Sequence, residues 1–241
     1  LLLSLPISSS SGEFTPFIDS LFTATSALCV TGLTVVETAA HWNTFGKSII
    51  LLLIQTGGLG IMTTVSIGIF AAGSKVSLHS RFIMKESFGE TGISGVVRLT
   101  RAVLLFTFST ELLGAILLSV AFSKTMPWSQ AISYGVFHSI SSFCNAGFDI
   151  IGSRSLIDYG SNWLVILPVM FLIVVGGLGF TVLLDLWSYR SRKKLSLHSK
   201  LVLWVTLILI LFGFLSFYFL EYDNPATLGE MHFLDQVSHS L

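Results

Sequence analysis

Two blocks of twelve residues carry the pattern in this chain that most suggests chemistry. Phe22-Thr-Ala-Thr-Ser-Ala-Leu-Cys-Val-Thr-Gly-Leu33 and Phe137-His-Ser-Ile-Ser-Ser-Phe-Cys-Asn-Ala-Gly-Phe148 align at an offset of 115, cysteine on cysteine and glycine on glycine. Each lies on an apolar run too short to cross a bilayer, so each predicts a short helix that dips into a membrane and stops at a glycine turn. Backbone polar groups at that depth are tolerated only when buried in protein or lining a watery cavity. Carbonyls gathered around such a cavity can replace the hydration shell of a cation. Gly32 and Gly147 supply the permissive φ/ψ that keeps neighbouring carbonyls on one side. The electronegative C-terminal ends of the short helices favour a cation too.

Side-chain chemistry is poorly provided for. There is no zinc-type His/Glu motif, no Ser-His-Asp arrangement and no phosphate loop. Two cysteines make neither a disulfide framework nor a four-ligand zinc site. Cys29 and Cys144 sit at equivalent positions and so invite a thiolate pair. Cys29 lacks a nearby base, however, and a small apolar residue supporting the turn is the simpler reading. The chain does not read as an enzyme.

The elements that must position these turns follow from composition. Of 241 residues, 52% are hydrophobic and 11% charged, against roughly 25% charged in a soluble domain. Mean hydropathy is +0.82. Thirteen Lys+Arg balance thirteen Asp+Glu, which excludes a basic nucleic-acid binder and an acidic disordered tail. The class left is an integral membrane protein. Four stretches approach the ~20 apolar residues a spanning helix needs: 46–71, 102–122, 162–187 and 201–220. Two shorter runs, 17–30 and 131–143, read as re-entrant or interfacial helices. The opening Leu1-Leu2-Leu3 has no basic region before it and is not a signal peptide. Both ends read as cut from a longer chain.

Charge placement orients the spans. Segment 72–101 holds Lys75, Arg81, Lys85, Arg98 and Arg101, and segment 188–200 holds Arg190, Arg192, Lys193, Lys194 and Lys200. Two spans separate these basic loops, so they share one face, which the positive-inside rule makes cytoplasmic. The reading is a multi-pass protein of the cytoplasmic (inner) membrane.

The alignment of blocks extends further. Gly57-Gly-Leu-Gly60 matches Gly176-Gly-Leu-Gly179, and Ser77-Leu-His-Ser-Arg81 matches Ser196-Leu-His-Ser-Lys200, both at 119. Because each unit starts and ends inside, the copies are parallel about an axis along the membrane normal, unlike inverted repeats. The expected fold is all-α, with span–pore helix–filter–span repeats around a central ion pathway. Residues 1–75 form the pore helix, filter and second span of repeat one. Residues 76–197 form the inner loop and complete repeat two. Residues 198–241 begin repeat three, where Phe233-Leu-Asp235 echoes Phe17-Ile-Asp19.

Thr25-Ser-Ala-Leu-Cys-Val-Thr-Gly-Leu33, followed by Leu53-Ile-Gln-Thr-Gly-Gly-Leu-Gly-Ile-Met62, closely resembles the first pore loop and following helix of the bacterial Trk/Ktr potassium uptake family. The second block with Gly176-Gly-Leu-Gly-Phe180 resembles the second pore loop and helix. The Ktr membrane subunit is the closer match, over essentially the whole chain. The resemblance implies four such units in one polypeptide, surrounding a potassium filter with one glycine per unit. It also implies a cytosolic nucleotide-binding ring of RCK/KTN type that gates transport, a homodimer of membrane subunits, and sodium as a candidate coupling or activating ion. By position the filter would be Cys29, Val30, Thr31 and Gly32, with Cys144, Asn145, Ala146 and Gly147. Gly32 stands where sodium-selective plant relatives have Ser, which favours potassium. The family's third and fourth filters, its gating loop and its fourth-unit arginine have no counterpart here.

Other residues admit blander readings. Gly32 and Gly147 would also suit a packed helical hairpin, but their matched flanks favour a filter. Gly57, Gly58, Gly60, Gly176, Gly177 and Gly179 read as helix-bend or packing glycines. Glu111, costly inside a membrane, reads as a hydrogen-bonding residue of an outer span or as an ion relay. Asp185 reads as a partner of Arg190 or Lys193. His79 and His198 read as shared helix starts, and His138 as packing. A secondary transporter with a midplane cation or solute site is the competing class. The absence of a charged substrate-binding residue beside the turns weighs against it.

Overall fold

The computed structural model describes residues 1–60, 93–225, 227–229 and 231–240. Among them there are α-helices and short 3-10 turns and no strand, only an isolated bridge between Ser9 and Trp42. Two 3-10 turns, Leu2–Ser4 and Pro6–Ser8, precede α1 (Phe17–Leu28), the four-residue α2 (Thr38–His41) and α3 (Thr44–Leu59). Asn43 starts α3, its Oδ1 accepting the Gly46 N–H at 3.0 Å, as an N-cap should. Its Nδ2 donates to the carbonyls of Ile7 (2.7 Å) and Ser9 (3.1 Å), which ties the N-terminal segment to the helix.

The long helix α4 (Ile93–Phe122) leads through a tight turn to α5 (Trp128–Phe143). Pro127, with no N–H to satisfy, opens α5. After the 3-10 turn Ser155–Tyr159 come α6 (Trp163–Gly177), α7 (Phe180–Arg192), α8 (Leu197–Glu221) and α9 (Phe233–Ser240). The two short apolar runs of the sequence are therefore the helices α1 and α5.

Among the described residues, two helices are long and apolar enough to cross a membrane, Thr100–Phe122 within α4 and Leu197–Glu221. The expected span 162–187 is not one straight helix. It breaks between α6 and α7 with a bend of 100°, because Gly179 sits at φ +82°, ψ +146°, a region open essentially to glycine alone. Gly60, which ends α3, has nearly the same conformation, φ +80° and ψ +151°. The rest of the expected span 46–71 and the basic residues Lys75, Arg81 and Lys85, with His79, lie outside the described residues.

Two cores organise the helices. One gathers Ala27 of α1, Ile50 and Ile54 of α3 and Phe137 of α5, with Ala146, Phe148 and Ile150 beyond α5. The other joins Leu118 and Phe122 of α4, Phe143 of α5 and Val165, Val169 and Leu172 of α6. The buried ends of α1 and α5 thus lie against α3, and α5 also lies against α4 and α6. Helix α8 is uncharged from Leu201 to Leu220 and largely uncovered, with Trp204 65% and Phe212 69% exposed. An apolar surface of that extent suits lipid or further protein.

Candidate functional site

Helices α1 and α5 end in the same way. Cys29 and Cys144 keep right-handed backbone (φ −82°, ψ 0° and φ −75°, ψ −5°). The next residue turns left-handed, Val30 at φ 56° and Asn145 at φ 56°. This reversal lets Val30 N–H donate to Ala27 O (3.3 Å) and Thr31 N–H to Ser26 O (3.0 Å). In the second copy Asn145 N–H donates to Ser142 O (3.1 Å) and Ala146 N–H to Ser141 O (2.8 Å). Both are Schellman closures, which satisfy the last helical carbonyls internally. Asn tolerates the left-handed position, whereas β-branched Val is an outlier there, at about 1–2 kcal/mol.

Gly32 and Gly147 then turn left-handed again, at φ 75° and φ 70°. The two glycines abut. A Cβ on Gly32 would lie 2.6 Å from the Ala146 carbonyl oxygen and 3.2 Å from Gly147 Cα. Among the described residues nothing donates a hydrogen bond to the carbonyls of residues 29–32 or 144–147. Side chains brace the turns from behind. Ser26 Oγ and Thr31 Oγ1 are 2.8 Å apart, and Ser141 Oγ donates to Phe148 O at 2.6 Å. In front of the glycines opens a cavity of about 280 Å³, whose lining includes the carboxylates of Glu37 and Asp149. The sequence reading did not single out these two acids, because nothing in their spacing ties them to the glycine turns.

Among the described residues no group of three or more His, Cys, Asp and Glu is placed to hold a metal ion. Cys29 is exposed and Cys144 half-buried, both as free thiols. His138 is buried, donates from Nδ1 to the Tyr134 carbonyl at 2.7 Å and packs edge-on near Phe137 and tilted against Phe122. Its Nε2 is buried and has no hydrogen-bond partner among the described residues.

The six glycines after the turns divide by contact. A Cβ on Gly57 would overlap the Leu28 carbonyl at the end of α1, and one on Gly176 the Phe143 carbonyl at the end of α5. A Cβ on Gly58 would overlap the Cys144 side chain, while Gly177 meets only Asn145 Nδ2 at 3.7 Å. Gly60 and Gly179 have positive φ and open space around a would-be Cβ, and at Gly179 the chain bends by 100°. Sequence offsets of 115 and 119 matched these blocks but carried no sign that the second touches the first.

Glu111 of α4 is 4% exposed. Its Oε1 accepts from Gln55 Nε2 of α3 at 3.0 Å, and its carbonyl accepts from Ser139 Oγ of α5 at 2.6 Å. The residue thus joins three helices. Asp185 Oδ2 accepts the Ser196 N–H at 2.8 Å, which holds the start of α8 against α7. His198 lies in the first turn of α8, two residues after the Ser196 cap.

The profile of the family TrkH, described as a cation transport protein, matches residues 2–236. The chain is 44% identical over 239 residues to the potassium/sodium uptake protein NtpJ of Enterococcus hirae, covering 99% of this chain and 52% of that protein. It is 41% identical over 237 residues to the Ktr system potassium uptake protein B of Bacillus subtilis, covering 98% and 53%. The Vibrio alginolyticus protein of the same name is 38% identical over 233 residues, covering 96% and 50%. The chain spans about half the length of each of these relatives. A match over nearly every residue, on a chain of long apolar helices, makes it a member of the TrkH family of cation transport proteins.

Proposed function

We propose that this chain forms part of a channel-like potassium uptake pathway, in which residues 29–32 and 144–147 are two walls of a carbonyl filter. The observation that carries this reading is the pair of matched turns, each with a left-handed residue and a left-handed glycine, meeting at Gly32 and Gly147. Their carbonyls accept no hydrogen bond from a protein donor among the described residues and so can take another partner. A dehydrated cation is such a partner. The ends of α1 and α5 point their electronegative termini at the same place, each equivalent to roughly half a charge. Glu37 and Asp149 at the adjoining cavity would concentrate cations before entry. Relatives named for potassium or potassium/sodium uptake support potassium as the substrate in this reading, with sodium as its coupling or activating ion.

In this reading the parallel repeats of span, pore helix, filter and span surround one axis, and two further filters complete the ring. The assembly is a homodimer in the cytoplasmic membrane, with the basic loops facing the cytosol. Relatives named as parts of a Ktr system suit a separate regulatory subunit, which we take to be the RCK/KTN-type ring. The test is rubidium and sodium uptake by the full-length protein in a potassium-uptake-deficient bacterium, with and without Gly32→Ser. The substitution should lower the preference for rubidium over sodium. Uptake with an unchanged preference in matched amounts of inserted protein would overturn the filter assignment.

A further inference from the structure

Helix α3 leaves the first filter turn behind it in sequence, yet its Gly57-Gly58 pair touches both turns. Adjacent residues on a helix point about 100° apart, so two consecutive glycines can face two different neighbours. Gly57 faces the Leu28 carbonyl, with the carbonyl carbon 2.8 Å and Leu28 Cα 3.3 Å from where a Cβ would stand. Gly176 repeats this against Phe143, again at 2.8 Å and 3.3 Å. Gly58 faces the other way, onto Cys144, whose Cβ and Cα lie 2.6 Å and 3.3 Å from the added carbon. Three residues earlier, Gln55 bonds Glu111, and the Glu111 carbonyl bonds Ser139 of α5. That chain of bonds fixes α3 relative to α5 close to the contact.

From this arrangement we infer that Gly58 is a positioning residue for the second filter, so that a helix of the first repeat sets the depth at which residues 144–147 stand. The inference rests on the filter reading and extends it across the repeat boundary. Cys144 immediately precedes left-handed Asn145, so a displacement of Cys144 is passed directly to the carbonyls that follow. The sulfur of Cys144 is the nearest atom and could swing aside, but the Cβ at 2.6 Å and the Cα at 3.3 Å cannot, so a methyl at position 58 has to displace the residue itself. The bare Cα is what permits the contact.

The experiment compares full-length variants in the uptake-deficient strain, each normalised to inserted protein. Gly58→Ala should raise the rubidium KM by about fivefold, the scale at which residues in direct contact couple. Cys144→Gly alone sets the reference for a filter residue; added to Gly58→Ala it removes the sulfur and Cβ that the new methyl overlaps and should bring KM back to the value of Cys144→Gly alone. Gly135→Ala, which crowds Ser119 on α4 far from the turns, should lower the amount of protein and leave KM unchanged. If Gly58→Ala does not insert, the double variant must restore insertion; failure of rescue in insertion or in KM overturns the proposal. A wild-type KM for Gly58→Ala overturns it as well. Gly32→Ser, run in parallel, separates the two readings. If it shifts the ion preference while Gly58→Ala does nothing, only the positioning role falls. If neither acts, the filter assignment falls with it.

Discussion

Alanine at Gly32 should damage ion selection more than alanine at Gly147, although the two glycines occupy matched positions. Both have positive φ, 75° and 70°, so either new side chain carries a left-handed strain of about 1–2 kcal/mol. The difference lies in what the methyl meets. At Gly147 the nearest atom is Gly32 Cα at 3.5 Å, an ordinary contact. At Gly32 it meets the Ala146 carbonyl oxygen at 2.6 Å, one of the groups assigned to the second filter wall. That oxygen must retreat by roughly 0.8 Å to regain ordinary separation, and overpacking of this kind costs about 1–3 kcal/mol more. Each 1.4 kcal/mol expressed in ion binding is about tenfold in affinity. Fully expressed in ion binding, these energies would raise the rubidium KM by about 5- to 30-fold for Gly147→Ala and by at least about 30-fold for Gly32→Ala. The assay is rubidium uptake against external concentration in full-length protein, with sodium as competitor and inserted protein quantified. Equal rises at the two positions, or a larger one at Gly147, would refute the reasoning.

Val30→Asn should raise the thermal denaturation midpoint of the full-length protein, because it relieves about 1–2 kcal/mol of left-handed strain with the residue type that position 145 already uses; a lower midpoint would mean that Val30 packing outweighs its strain. Glu111→Gln should keep near-normal insertion and uptake, since an amide oxygen still accepts from Gln55, whereas Glu111→Leu strands that donor at about 1–3 kcal/mol and should reduce the protein recovered from membranes. Normal insertion with lost uptake in Glu111→Gln would instead make the ionisable group essential. Gly179→Ala should deplete inserted protein more than Gly177→Ala, because its backbone conformation costs a side chain about 1–3 kcal/mol while Gly177 has room; equal yields on membrane quantification would refute this. Neutralising Lys75 with Arg81, or Lys193 with Lys194, should weaken binding of the regulatory ring in a pull-down while topology is retained, and unchanged binding would leave these residues with a topological role alone.

Composition and periodicity determined that this is a helical membrane protein, because 11% charge cannot solvate a surface and apolar run length separates long helices from short ones. The paired blocks located the two turns for the same reason: a left-handed glycine after a short helix is a local requirement, written locally. The bend at Gly179 was half legible, since glycine permits a 100° break without demanding one. What the tertiary structure decided is which surfaces meet. That Gly57 and Gly176 seat the helix ends, that Gly58 reaches across to Cys144, and that Gln55 finds Glu111 depend on how α3 lies between α1 and α5. A missing side chain leaves no trace in sequence of what fills its place. Close approach of two backbones is a property of packing, and packing is settled only when all the helices are in position.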